Sequence, residues 1–418
     1  MNRNKNKEEL IKKVLERLKN NRKLYSYVDK IIKILVYNNY NFYFVGGTIR
    51  DILISVFNNT KLQNVLDIDI VIETKEYDKI VSLIRKNLYV DKKVQIKTYP
   101  QFFTMSVLFI EKDEIKRIDL SIPRKEEYLK PAALPKVSVG TIFDDIFRRD
   151  FTINAICLYY NSLTKSFSFY DPFNGIKDII DKKIRVLHKN SFIDDPTRIL
   201  RGIRFVSTIG FKFDIETEKL IKEAIEKNML SLLSQHRLNL EFVNILKKGK
   251  NLTQIVKLFK KYQITRYYEN IQDLLREFML SANKIELKKI ENTKIRFYIR
   301  LLYLLEKVTG GVGPLETNKI GVFKEYLVKL DISRDERQPI YEAVKIFAYG
   351  KTKTLPKWIK IYLQVFKKKI IKLPVKPSQL VHWGIPKEKI KPLILYLLKY
   401  KIRNLSKKKI KSITLKLD

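Results

Sequence analysis

Asp67 and Asp69 stand two apart in the run LDIDIVIE, residues 66–73. On an extended chain, residues two apart share one face, about 6.6–6.8 Å apart along the strand. Two carboxylates placed that way are hard oxygen donors for divalent cations. A pair of such cations activates an attacking oxygen and stabilises a leaving one. Asp119, in the run RIDLS, lies on a later strand pattern and joins them if the two strands are neighbours. An isolated Asp-x-Asp is equally the exposed face of an ordinary strand, but Leu66, Ile68, Ile70, Val71 and Ile72 mark one face as buried. About twenty residues earlier comes Gly46-Gly47-Thr48-Ile49-Arg50-Asp51. Two glycines between a strand and a helix bring backbone amides close to phosphate oxygens, and Arg50 adds a phosphate contact. A bare Gly-Gly is also an ordinary tight turn; its place ahead of the aspartate pair is what links it to the same sheet.

A third group is Arg148-Arg149-Asp150-Phe151-Thr152-Ile153-Asn154-Ala155. Charges beside an apolar run require partners. Arg suits phosphate oxygens, and Asp or Asn suits ribose hydroxyls; a helix cap with a buried ion pair is the alternative. The run DPFNGIKD, with Asp171, Gly175 and Asp178, reads locally as a loop followed by a helix. In DDPTRILRGIRF, Asp194 caps a helix whose first turn holds Pro196. Arg198, Arg201 and Arg204 then repeat at three-residue spacing on broadly one face. Asp195 and Arg198 present hydrogen-bonding edges that suit a base; a capped helix with solvated arginines has the same pattern.

These residues need a scaffold. Apolar residues at three- and four-residue spacing predict a helix over 8–39, followed by the short apolar strand Phe42–Val45. A helix is expected over 48–57 and another over 76–88. Strands are expected over 66–73, 93–98, 103–110 and 115–121. Beyond about residue 190 strand signals almost vanish, and helical patterns cover 196–208, 215–233, 237–248 and 252–262, continuing to about 308. Breaks fall at Gly310–Pro314 and Leu373–Pro377, and a last helix is expected over 387–400. The fold class is α+β: a head with a small, mostly antiparallel sheet, then an all-helical remainder.

With 418 residues, the chain has length for several domains. It carries 84 Lys and Arg against 45 Asp and Glu, a net charge of +39. An apolar fraction of 45%, with 23 Phe and 23 Tyr, excludes a disordered polybasic chain. An AT-rich genome or a thermophile's lysine enrichment also raises basic content. However, the last 68 residues hold 20 Lys and Arg against two acids, nearly half the surplus. That uneven distribution points to a polyanionic partner bound by counterion release. The lone Cys157 excludes an intramolecular disulfide framework and a multi-cysteine zinc site, and fits a cytoplasmic location. No apolar run is long enough to cross a membrane, and MNRNKNKEEL has no apolar signal region after its charges.

All of these motifs, in this order, resemble the class II tRNA nucleotidyltransferases of the DNA polymerase β-like superfamily, which include CCA-, CC- and A-adding enzymes and bacterial poly(A) polymerases. GGTIRD, DIDIV, RRDFTINA, DPFNGIKD and DDPTR match the family's motifs over about residues 40–250. The resemblance implies a polymerase β-like head (1–160), a neck that recognises the nucleotide base (161–250), a helical body (251–350) and a basic tRNA-binding tail (351–418). It implies that Asp67 and Asp69 hold catalytic Mg²⁺ in a two-metal site, with Asp119 as a third carboxylate. Gly46, Gly47, Arg50 and Asp51 would organise the triphosphate; Arg148, Arg149, Asp150 and Asn154 the triphosphate and ribose. Asp195 and Arg198, with Arg201 and Arg204 on the same helix, would address the nucleotide. Asp171, Gly175 and Asp178 would form a hinge. The implied substrates are CTP and ATP, and the implied partner is tRNA, through its 3′ end and its acceptor stem and elbow.

Three departures stand out. The base-reading motif begins with Asp194 where the family has Glu. The stretch before Asp67 lacks a common glycine. Phe103 occupies a place where the family often has glycine. Residues 123–140 correspond to the family's flexible-loop region, which influences CC versus A addition. Two other functions share these features: an RNA-binding module without catalysis, and nucleotide transfer to a small molecule or protein. The intact aspartate pair speaks against the first and the long basic body against the second. His188, His236 and His382 have no metal-ligand spacing, and Cys157, Trp358 and Trp383 read as core residues.

Overall fold

The computed structural model describes residues 2–308, apart from 20–21, 63–66, 89–93, 111–114 and 286–292, together with 326, 329–330, 377–386, 389–390, 393, 397 and 406–414. The described chain divides into two compact units: Met1–Arg198 with Phe211–Met229, and Ile199–Gly210 with Leu230–Asp418.

The first unit opens with helices α1 (Asn2–Lys19) and α2 (Arg22–Tyr37), where one helix over 8–39 was expected. Strand β1 (Phe42–Val45) leads into α3 (Gly47–Phe57), and β2 (Asp67–Ile72) into α4 (Tyr77–Leu88). Then come β3 (Val94–Tyr99), β4 (Thr104–Ile110) and β5 (Ile115–Ser121). A small hairpin follows, β6 (Arg124–Glu127) with β7 (Lys136–Val139), inside the segment read from sequence as a flexible loop. Helix α5 (Ile142–Phe147) precedes the strands β8 (Cys157–Asn161) and β9 (Ser166–Tyr170). The main sheet includes β9, so it reaches past residue 160.

The seven-stranded sheet has the order β3-β4-β5-β2-β1-β8-β9. Only the β2–β5 pairing in it is parallel. Its register sorts residues cleanly onto two faces, because side chains alternate along each strand. Phe42, Phe44, Ile68, Ile70, Ile118 and Leu120 share one face and are essentially inaccessible to solvent. Val45, Asp69, Asp119 and Ser106 share the other, in one row across four strands. The apolar face excludes water and fixes register, since a one-residue slip would bury the carboxylates.

The rest of the first unit holds the helices α6 (Gly175–Ile180), α7 (Ser191–Asp194), the start of α8 (Thr197–Ile209) and α9 (Ile215–Glu226), with a two-stranded parallel sheet of β10 (Lys183–Ile184) and β11 (Lys212–Phe213). The second unit is helical in its described part. It includes α10 (Gln235–Lys248), α11 (Leu252–Lys261), α12 (Gln272–Ser281) and α13 (Thr293–Val308). Phe242, Phe259 and Phe278 fill its core, with Phe242 and Phe278 edge to face at 5.4 Å. Near the C-terminus, Leu380, Ile385, Leu393, Leu397 and Ile410 cluster, and Trp383 packs against them. The break expected at 310–314, residues 373–376 of the break expected at 373–377, most of the helix expected over 387–400, and Trp358 lie outside the described residues. Among the described residues, no helix is long and apolar enough to cross a membrane.

Candidate active site

The parallel pairing of β2 with β5 sets Asp69 directly beside Asp119, and Asp67 beside Arg117. Thus Asp119 does join the aspartate pair, on the neighbouring strand. Ser106 Oγ donates to Asp119 Oδ1 at 2.6 Å, fixing that carboxylate from β4. Arg117 Nε lies 3.4 Å from Asp67 Oδ1 and 3.3 Å from Asp119 Oδ2, a cation between two acids. Burial pushes the Asp69 carboxyl up to about 6; Arg149 opposes the shift, and the neighbouring Asp119 adds to it. Asp119 is raised as well, chiefly by burial. Negative charge is therefore crowded and only partly compensated here, which is the condition a divalent cation relieves. All the donors are hard carboxylate oxygens, so the residues fit magnesium. Among the described residues no three acidic or imidazole groups already converge on one point.

Gly46 connects β1 to α3 with φ 77°, a left-handed conformation that favours glycine. A Cβ there would lie 3.1 Å from both Arg149 Nη1 and Asp69 Oδ2. The glycine thus leaves room for the arginine and the carboxylate to approach the turn together. Arg50 binds Asp51 Oδ1 through Nε at 2.8 Å and Asn154 Oδ1 through Nη1 at 2.6 Å. Asn154 Nδ2 donates in turn to Asp150 Oδ1 at 2.7 Å. The GGTIRD and RRDFTINA motifs are one hydrogen-bonded assembly.

The arginine pair is held by a residue that the sequence reading missed. Asp145, fully buried on α5, accepts from Arg148 Nη2 at 2.8 Å and from Arg149 Nη2 at 3.0 Å. Burial opposes its ionisation, but the two guanidiniums outweigh it and hold the carboxyl below its usual range. Glu126, on the small hairpin, takes a second hydrogen bond from Arg148 at 3.1 Å and one from Tyr128 Oη at 3.1 Å. The signal for Asp145 was present: it stands three and four residues before the arginines, the spacing at which helical side chains meet. Arg124 and Glu126 stand two apart on one strand face and also pair, at 3.4 Å. Ser106 carries no such sequence signal, because its role depends on strand pairing.

The DPFNGIKD motif packs beneath this assembly. Asp171 accepts from the Gly175 and Ile176 amides at 2.7 and 2.9 Å, starting α6. A Cβ on Gly175 would fall 2.2 Å from the Thr152 carbonyl oxygen, so only glycine fits. Buried Asp178 accepts from Thr152 Oγ1 and from Arg185 Nη2, both at 2.6 Å. In the DDPTR motif, Asp195 caps α8 by accepting from Thr197 N at 3.1 Å and Thr197 Oγ1 at 2.6 Å. Asp194, to which the sequence reading gave that cap, lies 3.9 Å from His188 Nε2. Arg198 is buried and donates to Ser191 Oγ and to the Arg148 carbonyl, both at 2.7 Å. Arg201 and Arg204 belong to the second unit, where each pairs with Glu241, at 4.0 and 3.6 Å.

A cleft of about 460 Å³ opens over the carboxylate row. Asp69 and Asp119 line its floor; Arg124, Arg148 and Arg149 line it with positive charge. Acidic and basic groups in one cleft suit a cation together with a phosphate chain.

Residues 42–185 match the poly(A) polymerase head-domain family. The chain is 30% identical to the A-adding tRNA nucleotidyltransferase of Aquifex aeolicus, over 79% of this chain and 41% of that protein. It is 27% identical to the CCA-adding enzyme of Listeria monocytogenes, over 55% of this chain and 53% of that enzyme. Its fold resembles a tRNA nucleotidyltransferase solved with a primer tRNA and an incoming ATP analogue. That likeness covers 92% of this chain and 97% of that one, with a TM-score of 0.51 and 26% identity. The chain spans less than two thirds of the length of the two curated relatives just named. With five motifs in family order, carboxylates on adjacent strands and the arginine pair facing them, the chain is similar to the class II tRNA nucleotidyltransferases, and its residues 42–185 match the poly(A) polymerase head-domain family.

Proposed function

We propose that the protein adds nucleotides to the 3′ end of tRNA, using ATP or CTP and releasing pyrophosphate, without a nucleic-acid template. The observation that carries this reading is the row of Asp69 and Asp119 on paired strands, with Asp67 on the same face, facing Arg149 across Gly46. Asp67 and Asp69, with Asp119 beside them, would hold magnesium. Bound there, it lowers the pKa of the attacking hydroxyl and neutralises charge on the leaving group. Arg149 and Arg148 bind the triphosphate, and the Gly46–Gly47 turn lets its oxygens approach backbone amides. Asp150 and Asn154 orient the ribose. Asp195 and Arg198 read the base by hydrogen bonding, which rejects bases that leave those groups unpaired. Arg201 and Arg204, on Glu241, support the helix that carries Arg198. Asp171, Gly175 and Asp178 form the junction behind the arginine motif.

The basic C-terminal segment grips the tRNA backbone, so binding weakens steeply with salt. Both substrates are cytoplasmic, and the protein acts there. Greater identity to the A-adding relative than to the CCA-adding one supports addition of the terminal A to CC-ended tRNA. The test is incorporation on three tRNAs ending before CCA, after one C and after CC, with Mg²⁺ and CTP, ATP or both. A single A on the CC-ended tRNA alone is the expected result. Growth through CCA or CC would assign those activities, and long A tails would assign poly(A) synthesis. Extension that survives Asp67→Ala and Asp69→Ala would sink the catalytic assignment.

A further inference from the structure

Two aromatic side chains on the rim of the cleft have no part in the chemistry described so far. Tyr99 is 39% exposed and Phe102 45% exposed, and both line the cleft that holds Asp69 and Asp119. They flank a built turn. Pro100–Phe102 form a short 3-10 turn that closes on Phe103, at φ 49° and ψ 40°. A bulky residue in the left-handed region is held there against its preference. The Phe103 ring meets Tyr77 edge on at 6.1 Å, and Tyr77 Oη donates to the Thr104 carbonyl at 2.7 Å. Arg124 Nη1 donates to the Phe102 carbonyl at 2.9 Å, and its guanidinium lies 6.0 Å from the Phe102 ring. Phe103 is thus turned onto Tyr77, and Phe102 is left in the open cleft.

Strand register fixes where this rim lies. Tyr99 faces Thr104 and Thr104 faces Ser121, on the same face as Ser106, Asp119 and Asp69. The row is offset from the carboxylate row by two residues, about 6.6–6.8 Å along the strands. Gly46 and Arg149 flank the carboxylates at the β1 side; Tyr99 and Phe102 flank them at the β3 side. In phosphoryl transfer the attacking and leaving oxygens lie roughly in line through phosphorus. With the triphosphate on the Gly46–Arg149 side, the attacking nucleoside must enter from the β3 side.

We infer that Tyr99 and Phe102 stack on the terminal base of the RNA acceptor and so position its 3′-hydroxyl. The inference rests on the transferase reading above for the direction of attack. Stacking tolerates any base, because each has a π-face. Arg124, beside the Phe102 ring, places a positive charge where the acceptor's last phosphate would run.

The test uses the full chain and a tRNA whose last nucleotide carries a fluorescent base analogue, with no nucleotide triphosphate present. The wild type is expected to quench the analogue, and the Tyr99→Ala/Phe102→Ala double variant to lose most of the quenching. With ordinary tRNA, the double variant should raise the acceptor KM about tenfold or more, while the triphosphate KM moves less than about twofold. Phe102→Trp should retain wild-type behaviour, and Phe102→Leu should lose affinity, since the ring rather than apolar bulk is at work. Removing the terminal base from the RNA should weaken wild-type binding about tenfold and leave the double variant unchanged. A double variant that quenches as the wild type does, or that loses as much on base removal, overturns the inference. A wild type that quenches the analogue but never extends RNA supports stacking and refutes the transferase reading instead.

Discussion

Arg50 Nη1 donates to Asn154 Oδ1 at 2.6 Å, across 104 positions of sequence. The contact joins the helix that follows Gly46-Gly47 to the arginine motif, and Asn154 extends it to Asp150. The groups assigned to phosphate and to ribose are therefore not independent.

Asn154→Ala deprives the Arg50 guanidinium of an acceptor and Asp150 of a donor. Hydrogen bonds to charged groups contribute about 1.5–3 kcal/mol. A stability loss of that order is expected in urea titrations, with a raised KM for the triphosphate. A double-mutant cycle with Arg50→Met should show coupling of about 0.5–3 kcal/mol; strict additivity would count against the assembly.

Asp145→Asn removes the buried anion between Arg148 and Arg149 and should cost about 3–5 kcal/mol, because two guanidiniums are left facing a neutral amide. The Asp145 carboxyl is held below its usual range in the folded state. Its contribution is complete above the unfolded value of about 3.9 and fades as pH falls through the lower folded value. Wild type and variant should therefore converge in stability on strong acidification. A constant gap between them across the acid range would refute the ion-pair account.

Two glycines should fail differently. Gly175→Ala drives a methyl into the Thr152 carbonyl and should destabilise by roughly 1–3 kcal/mol or more, visible as a lowered Tm. Gly46→Ala meets Arg149 and Asp69 and a left-handed backbone. Its larger effect should be on kcat, since Arg149 and Asp69 belong to the proposed reacting site. Equal melting and equal turnover for both variants would contradict these placements.

His188 packs against Phe147, their rings tilted by 30° with centroids 4.8 Å apart, and burial, with Arg198 nearby, lowers its pKa to about 4. Its imidazole should stay neutral through pH 6, with an NMR titration midpoint near 4. Because the unfolded chain takes up the proton first, near 6.5, stability falls as pH drops from there toward 4. His188→Gln should remove that slope; a midpoint near 6.5 in the native protein would refute the burial.

Much of the scaffold was legible because hydrophobic periodicity is a local property. The strands over 66–73, 93–98, 103–110 and 115–121 appear as β2 to β5 within a residue or two. The helical spacing expected over 8–39 appears as α1 and α2, on either side of residues 20–21, which lie outside the described residues. The hairpin of β6 and β7 escaped notice because RKEE has no apolar residue and the alternation in KVSV spans only four residues, whose valines are half-buried.

The site divides along the same line. Residue type and local order determined the chemistry: the carboxylate pair two apart, the glycines before a helix, the adjacent arginines. Tertiary structure alone decided which groups share a cleft. The parallel pairing of β2 and β5 brings Asp119 to Asp69, and the fold of α5 buries Asp145 between two arginines. It also gives the three arginines of one helix different partners: Arg201 and Arg204 pair with Glu241, whereas Arg198 bonds Ser191 and the Arg148 carbonyl. Spacing along a chain determines which side chains share a face, but strand register and packing determine what that face meets, and those depend on residues far away in sequence.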